Sequence, residues 1–226
     1  MCLRINNNVR VNYLCGRIIM VTLIYFLISL LGSIALYPSP EHRFFGYSFL
    51  NSFISELGVT VTSRGLRNLA GSTIFNISLA FSMLALLPYW FIRKDGIAGH
   101  SWLRGLIFTC LCCFSVGLFT GAVIPYNWGP RVHTAAVSYA LYAAIFALLL
   151  TTLFTNKKYY SKFYKLSWLM LIILALLAEI VLVRSVSGHI LPSRPTYPLL
   201  QKFNVLIFII WLVGDIKMFS GCVLEE

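Results

Sequence analysis

Charged residues are scarce in this sequence, and acidic residues are the scarcest of all. Of 226 residues, 11% are charged and only seven are Asp or Glu, whereas roughly a quarter are charged in an ordinary soluble domain. Hydrophobic residues make up 59% of the chain. This composition excludes a water-soluble globular fold.

Short sequence motifs that identify common catalytic, phosphate-binding and metal sites are also missing. The sequence has no G-x-S-x-G nucleophile motif, no phosphate-binding glycine loop and no closely spaced pair of histidines. The six cysteines form no disulfide framework, because three lie inside an apolar run and three lie near the termini. We therefore predict no metal site and no cofactor.

Lysine and arginine give the chain a formal net charge of +11. They lie in the short segments between apolar runs and not on one face, so nucleic acid is not predicted as a partner. Membrane lipid is the predicted partner. The composition leaves open a homo-oligomer or an unidentified protein partner.

Six apolar runs are present, and each is long enough to cross a hydrocarbon core about 30 Å thick. The first run is too long for the core of a signal peptide, so it is predicted to be a span. No repeat and no long polar linker divides the chain, so residues 1–226 are predicted to form one all-α, six-helix integral membrane domain. The spans cover approximately 17–37, 69–92, 105–124, 133–155, 166–184 and 203–220.

An even number of spans puts both termini on the same side of a multi-pass membrane protein. The segments on that side carry eleven Lys and Arg residues, and those on the other side carry seven. The positive-inside rule therefore predicts cytoplasmic termini. Small residues inside the spans predict close helix contacts, at Gly32, Gly71, Gly117 and Gly121.

The first outer loop, Gly46–Asn68, is the most informative segment between the spans. Apolar residues recur at helical spacing, and Gly58 is a natural terminator, so a short interfacial helix is predicted over Ser48–Leu57. Ser52 and Glu56 would share a face of it. One interpretation is a helix that closes the outer mouth of the bundle, with Glu56 paired to Arg64 or Arg67.

The motifs YSFLNSFISELG, RGLRN and GSTIFNISLAF resemble a family of bacterial and archaeal membrane proteins of uncharacterised function related to the Frag/DRAM/Sfk group. Weaker similarity continues at GLFTGAVIPYNWGPRVHTAAV and QKFNVLIFIIW. The resemblance implies a six-helix fold and a prokaryotic cytoplasmic membrane. Relatives in the wider group are linked to membrane lipids, but the uncharacterised branch that this chain resembles implies no activity. The pattern positions would be Asn51, Ser55, Glu56, Leu57, Gly58, Asn68, Asn76, Gly121 and His133.

Polar residues near the outer ends of several spans predict a polar pocket that opens outward. Ionisable groups inside spans are costly and usually face a bundle interior or a cavity, and Glu179 is the clearest example, either in the pocket or paired with Arg184. The candidate pocket residues are Asn51, Ser52, Ser55, Glu56, Asn76, His133 and Glu179.

The sequence is compatible with three functions. The leading hypothesis is that the protein binds or handles a lipid or other amphipathic ligand in the outward-facing pocket. The alternative is a membrane-embedded hydrolase or transferase acting on a lipid head group, with Glu56 or Glu179 as base and His133 as acid, base or ligand. The third is a transporter or an assembly subunit, although the paired, interrupted spans typical of many transporters are not visible.

Overall fold

The computed structural model describes residues 2–39, 46–93, 101–154, 161–187 and 196–221. Within these ranges the chain is helical and forms no strand. The six helices are α1 (Cys2–Ala35), α2 (Leu69–Arg93), α3 (Ser101–Val123), α4 (Pro130–Phe154), α5 (Ser161–Ser187) and α6 (Thr196–Gly221), and a short 3₁₀ turn covers Ile54–Gly58.

Five helices have segments long and apolar enough to cross a membrane. They also expose large apolar side chains, with Ile28 and Leu31 of α1 each about two-thirds exposed. Such side chains are stable against lipid, where a helix can also satisfy its own backbone. The chain is therefore an integral membrane protein. The five segments are Tyr13–Ala35, Leu69–Ile92, Ser101–Val123, Pro130–Phe154 and Tyr197–Lys217.

Five of the six helices begin earlier than the apolar runs predict, and α1 and α6 differ the most. α1 starts at Cys2, 15 residues before the predicted 17, and ends at Ala35 instead of 37. α6 starts at Thr196 instead of 203, because Pro198 is tolerated in a first helical turn. The first turns of α6 therefore include Gln201 and Lys202, which the predicted boundary left in a loop.

The helices pack in a closed ring. Each helix packs against the next one in the sequence, and α6 packs against α1. The centre is filled by large side chains from several helices, including Trp90, Ile107, Met170 and Leu212, each at most 1% exposed. At this level the described side chains form a packed core.

Glycine sets the closest approach between α3 and α4. A Cβ on Gly117 would lie 2.7 Å from the backbone oxygen of Ala136 and 2.8 Å from the Cβ of Ala140, and one on Gly121 would lie 2.9 Å from Val137. The prediction of close contact is thus confirmed for these two glycines and for Gly71, where a Cβ would lie 3.3 Å from the backbone oxygen of Ser33 on α1. It is wrong for Gly32, which has no atom within 4 Å of that position.

Candidate functional site

The first loop closes one end of the ring, which we call the capped end. Gly46 starts the described part of this loop, and its amide donates to the carbonyl of Tyr37 at 2.8 Å. The residues after it form a turn, in which the amide of Ser52 donates to the carbonyl of Ser48 at 2.9 Å. The segment Gly46–Asn68 is called the cap below.

The predicted helix over Ser48–Leu57 is wrong in its first half. Asn51 donates from its backbone and from Nδ2 to the hydroxyl of Ser48, and such local bonds compete with helix formation. The apolar residues also divide between two environments. Phe49 is 60% exposed, whereas Leu57 is fully buried, so no common apolar face exists.

The 3₁₀ turn Ile54–Gly58 inserts into the end of the ring. Leu57 belongs to a second apolar cluster, separate from the central core, together with Phe26 of α1 and Phe75 of α2. The amide of Ile54 donates to Oε1 of Gln201 on α6 at 2.6 Å. The turn therefore contacts three helices and seals the space between them.

Side-chain amides of α2 and its N-cap hold the carbonyls of the turn. Asn68 Nδ2 donates to the carbonyls of Leu57 at 3.1 Å and Val59 at 3.0 Å, and Asn76 Nδ2 donates to that of Gly58 at 2.9 Å. Gly58 is required there, because a Cβ on it would lie 2.5 Å from Oδ1 of Asn76. The two asparagines thus complete the hydrogen bonding of a buried loop backbone.

The side chain of Glu56 also forms a hydrogen bond with the backbone of the cap. Its Oε1 accepts from the amide of Phe53 at 3.1 Å, in the position of a capping residue. Among the described residues it forms no ion pair with Arg64 or Arg67, so that part of the prediction is not seen. Lys202 Nζ donates to the carbonyl of Ser52 at 2.6 Å.

Two tyrosines lie beside Glu56 at the capped end. Burial raises the pKa of Tyr37 to about 12, with a further increase from the charge of Glu56 and a decrease from that of Arg64. Burial, followed by the charge of Glu56, also raises the pKa of Tyr47, whose hydroxyl donates to the carbonyl of Ser52 at 3.0 Å. Both phenols therefore stay neutral at physiological pH.

The second half of the cap is a tight hairpin-like loop. The amide of Thr62 donates to the carbonyl of Leu66 at 2.9 Å, and Gly65 takes a φ of 75°, which glycine adopts without strain. This loop presents two exposed arginines, Arg64 and Arg67. Neither has a side-chain hydrogen bond or an ion pair within the described part of the chain.

The connection between α3 and α4 is tied to the cap. Asn127 Nδ2 and Trp128 Nε1 both donate to the hydroxyl of Thr60, at 2.7 Å and 3.0 Å. His133 lies nearby in sequence, but its Nδ1 is 2.9 Å from the carbonyl of Ile124. His133 thus caps the end of α3.

An open groove of about 370 Å³ runs between the end of α1 and the start of α2 at the capped end. One part of its lining is apolar, and the other part is polar or charged. Its lining residues are Leu36, Pro38, Ser39, Leu66, Arg67, Asn68, Leu69 and Ala70.

The structure distributes the seven candidate residues over several places. Ser52, Ser55, Glu56 and Asn76 belong to the cap and its attachment, and Asn51 is exposed at its edge. His133 holds the end of α3. Glu179 is exposed on α5, and the side chain of Arg184 lies outside the described residues. The described contacts do not join all seven, so a shared pocket stays a prediction.

The most buried carboxylate in the described parts of the helices is Asp215, near the C-terminal end of α6. It is 1% exposed, and its Oδ2 accepts from the hydroxyl of Tyr89 at 2.6 Å. This bond joins α6 to α2 at the end opposite the cap. Among the described residues, no three His, Cys, Asp or Glu side chains are grouped as metal ligands would be.

Comparison with models of protein families, with curated proteins and with solved structures gives no match to this chain. The relation to the Frag/DRAM/Sfk group therefore stays a prediction from the motifs. The geometry of the capped end is the remaining source of information about function.

Proposed function

We propose that the protein is a six-span membrane protein that holds a lipid or other amphipathic molecule at the capped end of its ring. Five helices have segments long and apolar enough to be spans, and α5 has 27 residues and packs between α4 and α6. With α5 as the sixth span, every helix of the ring crosses the membrane. The excess of Lys and Arg then favours cytoplasmic termini and a capped end that faces outward.

The observation that carries the proposal is the groove between α1 and α2. The apolar segment of α1 ends at Ala35 and that of α2 begins at Leu69, so the groove lies at the level of the membrane surface. Below it, exposed apolar side chains such as Leu31 and Ile77 face the lipid. The polar head of an amphipathic molecule can contact the groove while its apolar chains contact these side chains.

The other functions have less support from the described residues. Oε1 of Glu56 and Nδ1 of His133 are both engaged with backbone groups, and Glu179 lies on the exposed face of α5. A hydrolase would need an acid and a base placed around one substrate bond. The packed centre of the ring also gives no support to transport through the bundle.

Filling the groove is expected to abolish stabilisation by lipid. Ala70 lines the groove and is exposed, so Ala70→Trp occupies the space with little strain on the helix. A ligand present at ~100 times its Kd adds about 2.7 kcal/mol of stability, which raises the Tm by roughly 5–10 °C. We expect the detergent-solubilised protein to gain this shift from added lipid extract, and Ala70→Trp to lose most of it.

Ala135→Trp is the matched control, because Ala135 is also an exposed alanine near the capped end but does not line the groove. It should respond to lipid as the unmodified protein does. An equal lipid response in all three proteins would show that the groove is not the binding site, and no response in the unmodified protein would refute the proposal.

A further inference from the structure

Among the lining residues of the groove, the one charged side chain is that of Arg67. Arg64 and Glu56 both lie close enough for their charges to act on Tyr37, the neighbour of the lining residues Leu36 and Pro38, but neither lines the groove. Glu56 is the only carboxylate in the described parts of the loops at this end, and its Oε1 is directed to the backbone amide of Phe53. A head group in the groove therefore meets the charge of Arg67 directly.

Within the described parts of the chain, the side chain of Arg67 is available to a ligand. It is exposed, and within the described ranges its guanidinium has no hydrogen-bond or ion-pair partner. Its backbone is fixed, because Arg67 pairs with Val61 in the loop and the next residue, Asn68, is anchored to the turn. A guanidinium on a fixed backbone is well suited to phosphate, to which it can donate two hydrogen bonds.

We propose that the groove binds the phosphate of an anionic phospholipid, with Arg67 donating to the phosphate oxygens. This inference rests on the proposed function and adds the head-group chemistry to it. The acyl chains lie against the exposed apolar side chains of α1 and α2, below Leu36 and Leu69. The apolar lining favours a lipid over free phosphate, because inorganic phosphate gains nothing from burying apolar surface.

Removing the charge of Arg67 is expected to remove a preference for anionic lipid. The probes are phosphatidylglycerol and phosphatidylcholine added separately to the protein in mixed micelles, with the apparent Kd taken from the lipid-dependent thermal shift. We expect phosphatidylglycerol to bind the unmodified protein about tenfold more tightly, which corresponds to about 1.4 kcal/mol. Arg67→Gln should bind both lipids alike.

Arg131→Gln is the matched control, because Arg131 is an exposed arginine at the start of α4 and does not line the groove. It should keep the preference. A preference that survives in Arg67→Gln, or falls equally in Arg131→Gln, would overturn the assignment. Equal stabilisation by inorganic phosphate would also overturn it, since the ligand would not be a lipid.

A measurement on the unmodified protein keeps the test independent of how Arg67→Gln folds. The preference for phosphatidylglycerol should weaken from low to high salt, because salt screens exposed charges, and a preference unaffected by salt contradicts the role of Arg67. If both lipids bind equally and Ala70→Trp abolishes both, the head-group inference fails while the proposed function stands. If neither lipid stabilises the protein, the proposed function itself fails.

Discussion

Asn68→Ala is expected to lower the free energy of unfolding by about 2–4 kcal/mol. The substitution removes the donor to the carbonyls of Leu57 and Val59, and an unsatisfied buried polar group costs about 1–3 kcal/mol. Asn68 is 2% exposed, so water cannot easily replace its amide. The variant should melt several degrees lower in detergent, and the amides of the 3₁₀ turn should exchange with deuterium faster.

Asn51→Ala provides the control for this prediction. Asn51 is an asparagine of the same cap, but it is exposed, and its side chain bonds to Ser48 alone among the described residues. Its removal should change the free energy of unfolding by no more than about 0.5 kcal/mol, as is usual for surface positions. If Asn51→Ala and Asn68→Ala destabilise the protein equally, the cap does not depend on the buried amide.

Gly117→Leu is expected to separate α3 from α4. Even a Cβ at Gly117 would lie 2.7 Å from the backbone oxygen of Ala136, and a backbone atom cannot move without shifting the helix. Overpacking of this kind costs about 1–3 kcal/mol and occasionally more, so the melting temperature and the yield of folded protein should both fall.

Gly105→Leu lies on the same helix and is the matched control. No atom lies within 4 Å of a Cβ placed on Gly105, and the residue is exposed. The control should melt like the unmodified protein. If Gly117→Leu also melts like the unmodified protein, the close packing of α3 against α4 at Gly117 is refuted.

The helices were largely predictable because apolar runs of this length have few alternatives. The predicted boundaries of α2 and α4 agree with the structure within three residues at each end. α1 was underestimated because its helix continues beyond the apolar segment, where hydrophobicity gives no signal for residues 2–12. The apolar segment of α1 is thus shorter than the helix that contains it.

The exposure of Glu179 could not be obtained from the sequence. Amphipathic periodicity determines which face of a helix is buried, but α5 is apolar all round, so the pattern does not fix its rotation. Because a charge in lipid is energetically costly, the sequence predicts that Glu179 faces the interior of the bundle. Asp215, nearer to a helix end by sequence, is the residue that the structure buries.

The candidate residues of the cap were found by their polarity, but their partners were not. Glu56, Asn68 and Asn76 all bind backbone groups of the cap, and a sequence does not tell whether a polar side chain faces a ligand or a carbonyl. The groove was missed because its two sides are separated by the whole first loop. The sequence marks Arg67 as part of the RGLRN motif and as a possible partner of Glu56, but it does not indicate that Arg67 lines a groove.

The most direct test of the account is a density map of the protein in nanodiscs that contain phosphatidylglycerol. The account predicts a head-group density against Arg67 in the groove between α1 and α2, with elongated density continuing along Leu31 and Ile77. A groove without lipid density in a map that resolves the lining side chains, with ordered lipid elsewhere on the bundle, would contradict it.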